Sequence, residues 1–381
     1  MVNNRVLQVL EGLDIGGKEI CAMNFYRNID REKIQFDFAI HSSQVGFFEP
    51  EIKELGGQIF HYALAKGHKN SLSQFVYNMA CFHKFIKRKD YDIVHIHGCS
   101  FYAILTASIP CKIQGVKNII AHAHNPGTPS GGRLDKILRK VLKGLIAWSC
   151  NQYFTCSDLA AESKYTRKIL KQNLTYIHNA IELNKFKYTE SDRSEIRSKY
   201  NVDEDQILLG IVGRLEEQKN HKYLIEIFEK LYKKDDRYKL IIVGTGSLEE
   251  ELKEKVKRLN LQSAVIFTGN TPTPSKFYSA MDVFVLPSLY EGFPFVMIEA
   301  QANGLPCVIS NEITRAVCLL KTTYQLPIEK DSVNQWVKQI ESIFFTGDRK
   351  KAVDILKKQG FDIEDEVERM QELYIKMKGG I

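Results

Sequence analysis

The chain has 381 residues, and its 53 Lys and Arg against 46 Asp and Glu give a net charge of +7. This length is enough for two domains that each bury a core, and the modest basic charge suits an anionic ligand or a membrane surface as well as nucleic acid. No apolar run approaches the roughly 20 residues that span a bilayer. The eight cysteines form no C-x-x-C pair, which is typical of free thiols in a cytoplasmic protein.

Apolar, β-branched runs alternate with helical patterns along the whole chain. The alternation favours parallel sheets covered by helices on both faces. A polar stretch over residues 179–203 interrupts it, so we expect a domain boundary there. The predicted strands are residues 6–10, 36–40, 91–97, 118–121, 152–156 and 175–178 in the first half, and 207–212, 239–243, 265–268, 283–286 and 307–309 in the second.

Two glutamates, Glu291 and Glu299, follow the predicted strand 283–286 and have seven residues between them. Gly292 and Pro294 make a turn, and a helical pattern follows. Glu291 is therefore expected on a loop at the carboxyl end of a strand, where open α/β sheets bind ligands. Two carboxylates suit a polyhydroxylated ligand, because each accepts hydrogen bonds from ribose or hexose hydroxyls. A solvated pair of glutamates is the alternative.

The string from Tyr290 through Glu291 and Glu299 to Pro306 resembles the E-x7-E signature of retaining glycosyltransferases of family 4. The resemblance covers nearly the whole chain. It implies the GT-B fold, an α/β architecture of two Rossmann-like domains with parallel sheets facing an interdomain cleft. Residues 1–182 would form the acceptor-side domain and 183–362 the nucleotide-sugar domain. A last amphipathic helix, within 363–381, would pack back on the first domain, and packing on the second domain is the alternative.

The segment that begins Gly213-Arg214 and ends at Lys219 follows the predicted strand 207–212 and resembles the family's G-R-x4-K segment. An arginine offers a planar fork to phosphate oxygens and a lysine offers a compact charge. A strand-to-helix loop also directs free backbone N–H groups at an anion. The resemblance implies that Arg214 and Lys219 stabilise the negative charge on the leaving diphosphate.

The remaining donor-side assignments also come from the resemblance. Glu299 is expected to bind the ribose hydroxyls, and Glu291 to lie near the sugar hydroxyls or the phosphate. Gly16-Gly17 resembles the family's G-G-x-E loop, although two glycines are also common in plain turns. Gly244-Thr-Gly246 lacks the third glycine of a dinucleotide fingerprint, so a nicotinamide site is disfavoured; a tight turn is the alternative. The other expected donor-binding residues are Gly213, Gly292, Phe293 and Phe295.

Two pairs of alternating histidines, His95 with His97 and His122 with His124, end predicted strands, and alternate residues of a strand share a face. A metal site would need a third ligand, and no HExxH motif or cysteine cluster supplies one. By resemblance, His124 is the active-site histidine that contacts the hydroxyls of the transferred sugar. We expect His122 to support it, and both His97 and His122 to lie on the acceptor side. A structural role is the alternative for His95 and His97.

The pair Asp203 and Asp205 has the spacing of a metal-binding D-x-D motif. It precedes a strand, whereas such a motif should follow one, so we interpret it as a solvated turn. We therefore expect neither a cofactor nor an obligatory metal. Arg214, Lys219 and helix N-termini would neutralise the diphosphate.

Residues 133–148 are basic and amphipathic, with five Lys or Arg among seven Leu, Ile or Val. One interpretation is a helix that touches anionic lipid, with each basic residue contributing roughly 1 kcal/mol. The other is a domain helix with a core stripe and a solvated basic face. We expect a cytoplasmic protein that contacts the inner face of the cell membrane through this segment. Nucleic acid is not an expected partner, because no basic–aromatic or helix-turn-helix pattern is present.

Residues 304–315 depart from the commoner family pattern and resemble the branch found in bacterial capsular and exopolysaccharide clusters. The resemblance implies a hexosyltransferase that moves sugar with retention from a nucleotide sugar to a lipid-linked or oligosaccharide acceptor, and we expect it to be metal-independent. Because no residue presents itself as a covalent nucleophile, we expect same-face attack, and a covalent intermediate is the alternative. By family frequency the nucleotide is UDP. Two alternatives stay open: a UDP-sugar 2-epimerase on the same fold, and a non-catalytic nucleotide-binding partner of another transferase.

Overall fold

A computed structural model describes residues 4–62, 72–127, 131–343 and 349–379. The chain divides into two compact units, which we call unit 1 (Met1–Ala180 with Ile363–Ile381) and unit 2 (Ile181–Asp362). All eight cysteines are free, and five of them are buried. The glycine, proline and serine residues over 126–132, after the strand that carries His122, predict a loop, and residues 128–130 of it lie outside the described residues.

Unit 1 contains a parallel sheet in the order β3-β2-β1-β4-β5-β6-β7. All six residues of β2 and of β4 are buried, as expected for strands covered on both faces. The strands are β1 (Arg5–Leu10), β2 (Gln35–Ile40), β3 (Ile59–His61), β4 (Ile93–Gly98), β5 (Asn118–Ala123), β6 (Gln152–Thr155) and β7 (Leu174–Tyr176). The helices are α1 (Gly17–Asn28), α2 (Glu49–Glu54), α3 (Leu72–Ile86), α4 (Phe101–Ile113), α5 (Arg133–Ser149), α6 (Asp158–Lys164) and α7 (Arg167–Gln172).

Unit 2 contains a second parallel sheet, in the order β10-β9-β8-β11-β12-β13. Short 3₁₀ turns lie at Leu183–Phe186, Glu217–Lys219, Arg315–Val317, Lys330–Ser332 and Arg349–Lys351. The helices are α8 (Glu190–Lys199), α9 (His221–Lys234), α10 (Glu249–Arg258), α11 (Pro274–Ala280), α12 (Phe295–Ala302), α13 (Val333–Glu341) and α14 (Ala352–Lys358). The strands are β8 (Ile207–Val212), β9 (Tyr238–Val243), β10 (Val265–Gly269), β11 (Val283–Leu286), β12 (Cys307–Ser310) and β13 (Thr323–Leu326).

The last helix, α15 (Ile363–Gly379), belongs to unit 1. Its Glu366 accepts a hydrogen bond from the His178 backbone N–H at 2.7 Å, and its Met377 carbonyl accepts one from the Asn118 amide at 3.0 Å. Tyr374 is buried with its ring edge against Phe36. These contacts fix the apolar stripe of α15 onto the unit 1 core.

The strand order reverses in the middle of each sheet. In unit 1 the reversal lies between β1 and β4, and in unit 2 between β8 and β11. Parallel α/β sheets bind ligands in the crevice that opens where two such neighbouring strands send their following loops in opposite directions. We therefore expect functional residues on the loops that follow β1, β4, β8 and β11.

Every predicted strand is present, with shifted ends in most cases, and the described residues contain two strands that were not predicted. The strand predicted from residue 91 begins at Ile93, and the one predicted to end at residue 121 continues to Ala123. The missed strands are β3, which has three residues, and β13, whose Thr-Tyr-Gln-Leu sequence is only partly buried. Both lie at sheet edges, where one side of the strand is unpaired and the apolar signal is weak.

Candidate functional site

The loops that follow β8 and β11 are tied together across the reversal point of the unit 2 sheet. The Leu289 backbone N–H donates to the Gln218 carbonyl at 2.8 Å, and the Gln218 side chain donates to the Tyr290 carbonyl at 2.9 Å. The Asn220 side chain donates to the Pro287 carbonyl at 3.1 Å. The two predicted donor motifs are therefore held in one rigid arrangement.

Lys219 and Glu291 meet in this arrangement. Lys219 Nζ donates to Glu291 Oε1 at 2.7 Å, and Ser288 Oγ donates to the same oxygen at 3.1 Å. Glu291 is 7% exposed. Within the described residues Glu291 Oε2 has no hydrogen-bond partner, and it is not enclosed. The pair therefore presents an ammonium group and an available carboxylate oxygen side by side.

Arg214 is not part of this contact. Its side chain is exposed, and its guanidinium has no hydrogen bond or ion pair to the described part of the chain. A loop-borne guanidinium without a protein partner keeps its full fork geometry for an anion.

Glu299 is the fifth residue of α12 and is partly buried. Tyr278 donates to Glu299 Oε2 at 2.6 Å. Burial raises the pKa of Glu299 to about 7, although the Tyr278 hydrogen bond and the charges of Lys219 and Lys185 act in the opposite direction. This carboxyl group changes its charge near neutral pH, and hydroxyl donors from a ligand would favour its ionised form.

Two of the predicted glycines are required by close backbone packing. Gly244 has φ +134°, and a Cβ there would lie 2.1 Å from the Gly213 carbonyl oxygen. Gly246 likewise approaches the Leu215 carbonyl, which a Cβ would meet at 2.4 Å. A Cβ on Gly213 would lie 3.0 Å from Lys219 Cε. The glycines after β8 and β9 therefore let two loops pack together and leave room for the Lys219 stem.

The predicted donor-side residues Gly292, Phe293 and Phe295 are buried at the turn into α12. The Phe293 ring stacks on Phe361 at 5.5 Å. The side chains of Phe293 and Phe295 belong to the core of unit 2. Any contact that these two residues make with a ligand would therefore come from their backbone atoms.

In unit 1, the predicted Gly16-Gly17 loop caps helix α1 after strand β1. Gly16 is the N-cap, and a Cβ there would lie 2.5 Å from Glu19 Oε2. Lys18 forms ion pairs with Glu11 and, at 3.6 Å, with Glu19. We missed Lys18 and Glu11 as candidate residues, although Lys18 directly follows the two glycines.

The predicted histidines gather on one face of the unit 1 sheet. His122 lies opposite His97 in the pairing of β4 with β5, and Gln8 lies opposite His95 in the pairing of β1 with β4. The rings of His122 and His124 are 3.9 Å apart between centroids. His95, His97, His122 and His124, which we call the histidine cluster, are all buried.

Burial makes the histidine cluster neutral at ordinary pH. It lowers the pKa of His122 to about 3. It also lowers the pKa values of His95, His97 and His124, and neighbouring imidazoles add to that effect. Each neutral ring has one N–H donor and one acceptor nitrogen.

The structure supplies a third histidine for a metal site, which the sequence alone did not. Ring nitrogens of His95, His97 and His122 lie within 4.8 Å of one another. However, the His95 and His97 rings are stacked 4.3 Å apart with only 17° between their planes. A metal ion lies in the plane of each imidazole that binds it, and two parallel planes do not share such a point. Hydrogen bonding explains this geometry better than shared coordination.

Lys164 is a further residue that the sequence did not indicate, besides Lys18 and Glu11. It is 2% exposed, and its Nζ donates to the carbonyls of Asn125 and Pro126 at 3.2 and 3.3 Å, directly after His124. Burial lowers the pKa of Lys164 to about 8. A buried amine therefore supports the loop that carries His124.

A cavity of about 600 Å³ lies within unit 1 next to the histidine cluster. His97, the predicted acceptor-side residue, lines it, together with polar Glu11 and Asn78 and aromatic Phe75 and Tyr102. Apolar walls with a few polar groups are typical of small-molecule sites.

Helix α5 exposes most of its apolar side chains. Only Leu142, Ile146 and Ser149 of this helix are buried. Packing against the unit 1 core therefore explains only a small part of the apolar residues of α5. Among the described residues no helix is long and apolar enough to cross a membrane. The exposed apolar side chains recur about once per helical turn, and they are Leu134, the adjacent Ile137 and Leu138, Val141, Leu145 and Trp148.

Comparison with known proteins identifies the family. Residues 15–185 match the model described as Glycosyltransferase Family 4, and residues 192–358 match Glycosyl transferases group 1. EpsF of Bacillus subtilis (strain 168), a protein named as a glycosyltransferase, is 30% identical over 97% of this chain and 96% of its own. The chain belongs to glycosyltransferase family 4.

One further relative of this family 4 chain and one solved structure of similar fold are informative. The UDP-Gal:alpha-D-GlcNAc-diphosphoundecaprenol alpha-1,3-galactosyltransferase of Escherichia coli is 28% identical, with 81% of each chain covered. The crystal structure of Anabaena Alr3699/HepE in complex with UDP and glucose has a TM-score of 0.76 at 19% identity, covering 97% of this chain and 99% of that one. At this identity the structural likeness shows the fold alone, and it agrees with the two parallel-sheet domains of the GT-B type. These comparisons give no support to the epimerase alternative.

Proposed function

We propose that this glycosyltransferase moves a hexose-type sugar, with retention, from a UDP sugar to a lipid-linked or oligosaccharide acceptor in the synthesis of a bacterial surface polysaccharide. The observation that carries the proposal is the Lys219–Glu291 pair at the reversal point of the unit 2 sheet, where Glu291 Oε2 is available to a ligand.

The donor nucleotide would be bound by unit 2. Glu299 would accept hydrogen bonds from the ribose hydroxyls, because Tyr278 engages only its Oε2. Glu291 would accept from sugar hydroxyls through its available oxygen. The E. coli relative is named for a UDP-Gal donor and the Anabaena protein was crystallised with UDP, which supports uridine as the base.

Arg214 and Lys219 would act on the leaving group. The bond between the sugar C1 and the diphosphate oxygen breaks, the acceptor oxygen bonds to C1 on the same face, and the acceptor proton passes to the departing phosphate oxygen. Negative charge on the diphosphate grows during this step, so fixed cations stabilise the transition state more than the ground state. Loss of one such fixed donor typically costs about 3–4 kcal/mol. Because Arg214 and Lys219 would stabilise this charge, we propose that the reaction has no obligatory metal or cofactor.

The acceptor would be bound by unit 1. The cavity beside His97 has apolar and aromatic walls together with Glu11 and Asn78, which suits a sugar joined to an apolar carrier. His124, whose following loop is held by the buried Lys164 amine, would contact hydroxyls of the transferred sugar. The E. coli relative is named for a diphosphoundecaprenol-linked acceptor, which supports a lipid carrier.

Helix α5 would hold the protein at an anionic membrane surface. Its exposed apolar stripe is bordered by exposed Arg133, Lys136 and Lys140, and amphipathic helices of this type bind anionic lipid at the headgroup boundary. The charge complementarity and a lipid-linked acceptor both favour this partner.

The proposal is tested by product analysis with UDP-hexoses and a lipid-diphosphate saccharide in the presence of EDTA. We expect free UDP and an elongated acceptor in equal amounts, with the anomeric configuration of the donor kept. An epimerised nucleotide sugar without free UDP would mean an epimerase. Nucleotide binding without any turnover across the donor and acceptor panel would mean a non-catalytic partner.

Kinetic variants then separate the assigned roles. Glu299→Ala should mainly raise the donor KM, and Lys219→Ala should mainly lower kcat, because the first removes ground-state binding and the second removes transition-state stabilisation. Lys222→Ala is the matched control, since Lys222 lies three residues from Lys219 and pairs instead with Glu251 at 2.8 Å. Unchanged kinetics in both site variants would refute the site assignment.

A further inference from the structure

We propose that Gln8 is a positioning residue that sets the proton arrangement of the histidine cluster, so that His124 presents its Nδ1 to the substrate as a hydrogen-bond acceptor. The inference rests on the proposed function in one respect, which is that the substrate group facing His124 is a sugar hydroxyl. The tautomers themselves follow from the hydrogen bonds within unit 1.

Gln8 is the origin of the arrangement because both ends of its amide are engaged. Gln8 Oε1 lies 2.8 Å from His97 Nε2, and Gln8 Nε2 lies 3.3 Å from the Tyr374 hydroxyl. Gln8 is 1% exposed. An amide oxygen only accepts and an amide NH₂ only donates. The proton in the first contact must therefore be on His97 Nε2.

The first branch runs from His97 to His124. A neutral His97 protonated on Nε2 has a bare Nδ1, which lies 2.9 Å from His124 Nε2. That contact needs a proton, so His124 carries it on Nε2. His124 Nδ1 then has a free lone pair, and it has no partner within the described residues although it is not enclosed. A lone pair suits the O–H of a sugar.

The second branch runs from Tyr374 to His122. The Tyr374 hydroxyl accepts from Gln8, so its own proton points to His95 Nδ1 at 2.5 Å. His95 then donates from Nε2 to His122 Nδ1 at 3.1 Å. His122 is left with its proton on Nε2, a buried atom without a partner among the described residues. This branch anchors the Gln8 amide to α15 and does not reach the substrate.

Turning the Gln8 amide over would reverse every proton in both branches, and His124 would then present an N–H group. The orientation of one amide therefore decides whether His124 accepts or donates. Gln8→Glu is the conservative variant for the first branch, since a carboxylate can only accept from His97 Nε2. Gln8→Leu removes the contact to both branches.

The test is histidine ring ¹⁵N NMR of the full chain, with assignment by His97→Gln and His124→Gln. We expect His97 and His124 to be neutral with the proton on Nε2 in the unchanged protein and in Gln8→Glu. In Gln8→Leu the two tautomers should become mixed. The control is Gln35→Leu, which removes a buried glutamine from neighbouring strand β2 and should leave both tautomers unchanged.

Kinetics provide the second measurement. Gln8→Leu should lower kcat/KM by about tenfold, the effect expected for one neutral hydrogen bond, and Gln8→Glu should recover most of the loss. A proton on His124 Nδ1 in the unchanged protein, or tautomers that do not respond to Gln8→Leu, would overturn the inference. One equivalent of tightly bound metal on the isolated protein would overturn it as well, because the ring nitrogens would then be ligands. Confirmed tautomers with full turnover in His124→Gln would instead refute only the contact with the sugar.

Discussion

Replacing Glu299 with glutamine should stabilise unit 2 above neutral pH and have almost no effect in acid. Burial raises the pKa of this carboxyl from 4.5 to about 7, so between these two pH values the folded protein binds a proton that the unfolded chain has released. The free energy of unfolding therefore falls as the pH rises through this interval. At roughly 1.4 kcal/mol per pH unit, the loss reaches about 3 kcal/mol near pH 7 and then stays level. Glutamine does not ionise and avoids this loss.

The measurement is urea unfolding of Glu299→Gln and the parent from about pH 4 to pH 8. Trp148→Phe serves as the common background, because Trp336 is then the sole tryptophan and is buried in unit 2. The difference in unfolding free energy should be close to zero at about pH 4 and widen by about 3 kcal/mol by pH 8. A difference that does not change with pH, or a variant that is the less stable one at pH 8, would refute this account of Glu299.

The same carboxyl group should make nucleotide binding depend on pH. In the proposed donor site, ribose hydroxyls would donate to the ionised form of Glu299, so the affinity for UDP should fall about tenfold for each pH unit below about 7. Above that value it should be constant. In Glu299→Gln the affinity should be weaker and independent of pH over this range, as measured by titration calorimetry.

Three further predictions concern turnover, packing and the membrane. Lys219→Met should lower kcat by about 10²–10³-fold, the effect of losing one fixed charge donor, whereas Lys222→Met should leave it unchanged in a steady-state assay. Gly244→Ala should lower the midpoint of urea unfolding, because its Cβ would lie 2.1 Å from a carbonyl oxygen. Gly132→Ala should leave the midpoint unchanged, because a Cβ at Gly132 would have no neighbouring atom within 4 Å. Leu134→Glu should weaken cosedimentation with vesicles of anionic phospholipid while the fold, measured by circular dichroism, is retained.

The sequence was informative wherever a motif is local. The loop after β8 and the turn into α12 each carry their signal within a few residues, so the positions of Lys219, Glu291 and Glu299 on their elements could be predicted. The contact between Lys219 and Glu291 could not, because it joins residues 72 positions apart. It depends on β8 and β11 being neighbours, which is a property of the strand order.

The histidine cluster shows the same limit more clearly. Alternation along a strand predicts that His95 shares a face with His97. It does not predict the register that sets His97 opposite His122, and that register alone brings the third histidine close. Gln8 and Tyr374 are 366 residues apart, so no local pattern indicates that they share one hydrogen bond. A hydrogen bond between two buried polar residues that are far apart in the chain can be recognised only once the fold shows that they are neighbours.

Thermal unfolding with UDP, GDP and ADP and their sugars in EDTA would decide whether unit 2 holds a nucleotide-sugar donor without a metal. A nucleotide at 100 times its Kd should add about 2.7 kcal/mol to the stability of the folded state. We expect a higher Tm with UDP and UDP-hexoses, with a smaller shift in Lys219→Met and the full shift in Lys222→Met. No change in Tm with any of the nucleotides, in EDTA or with added Mg²⁺, would refute a donor site in unit 2.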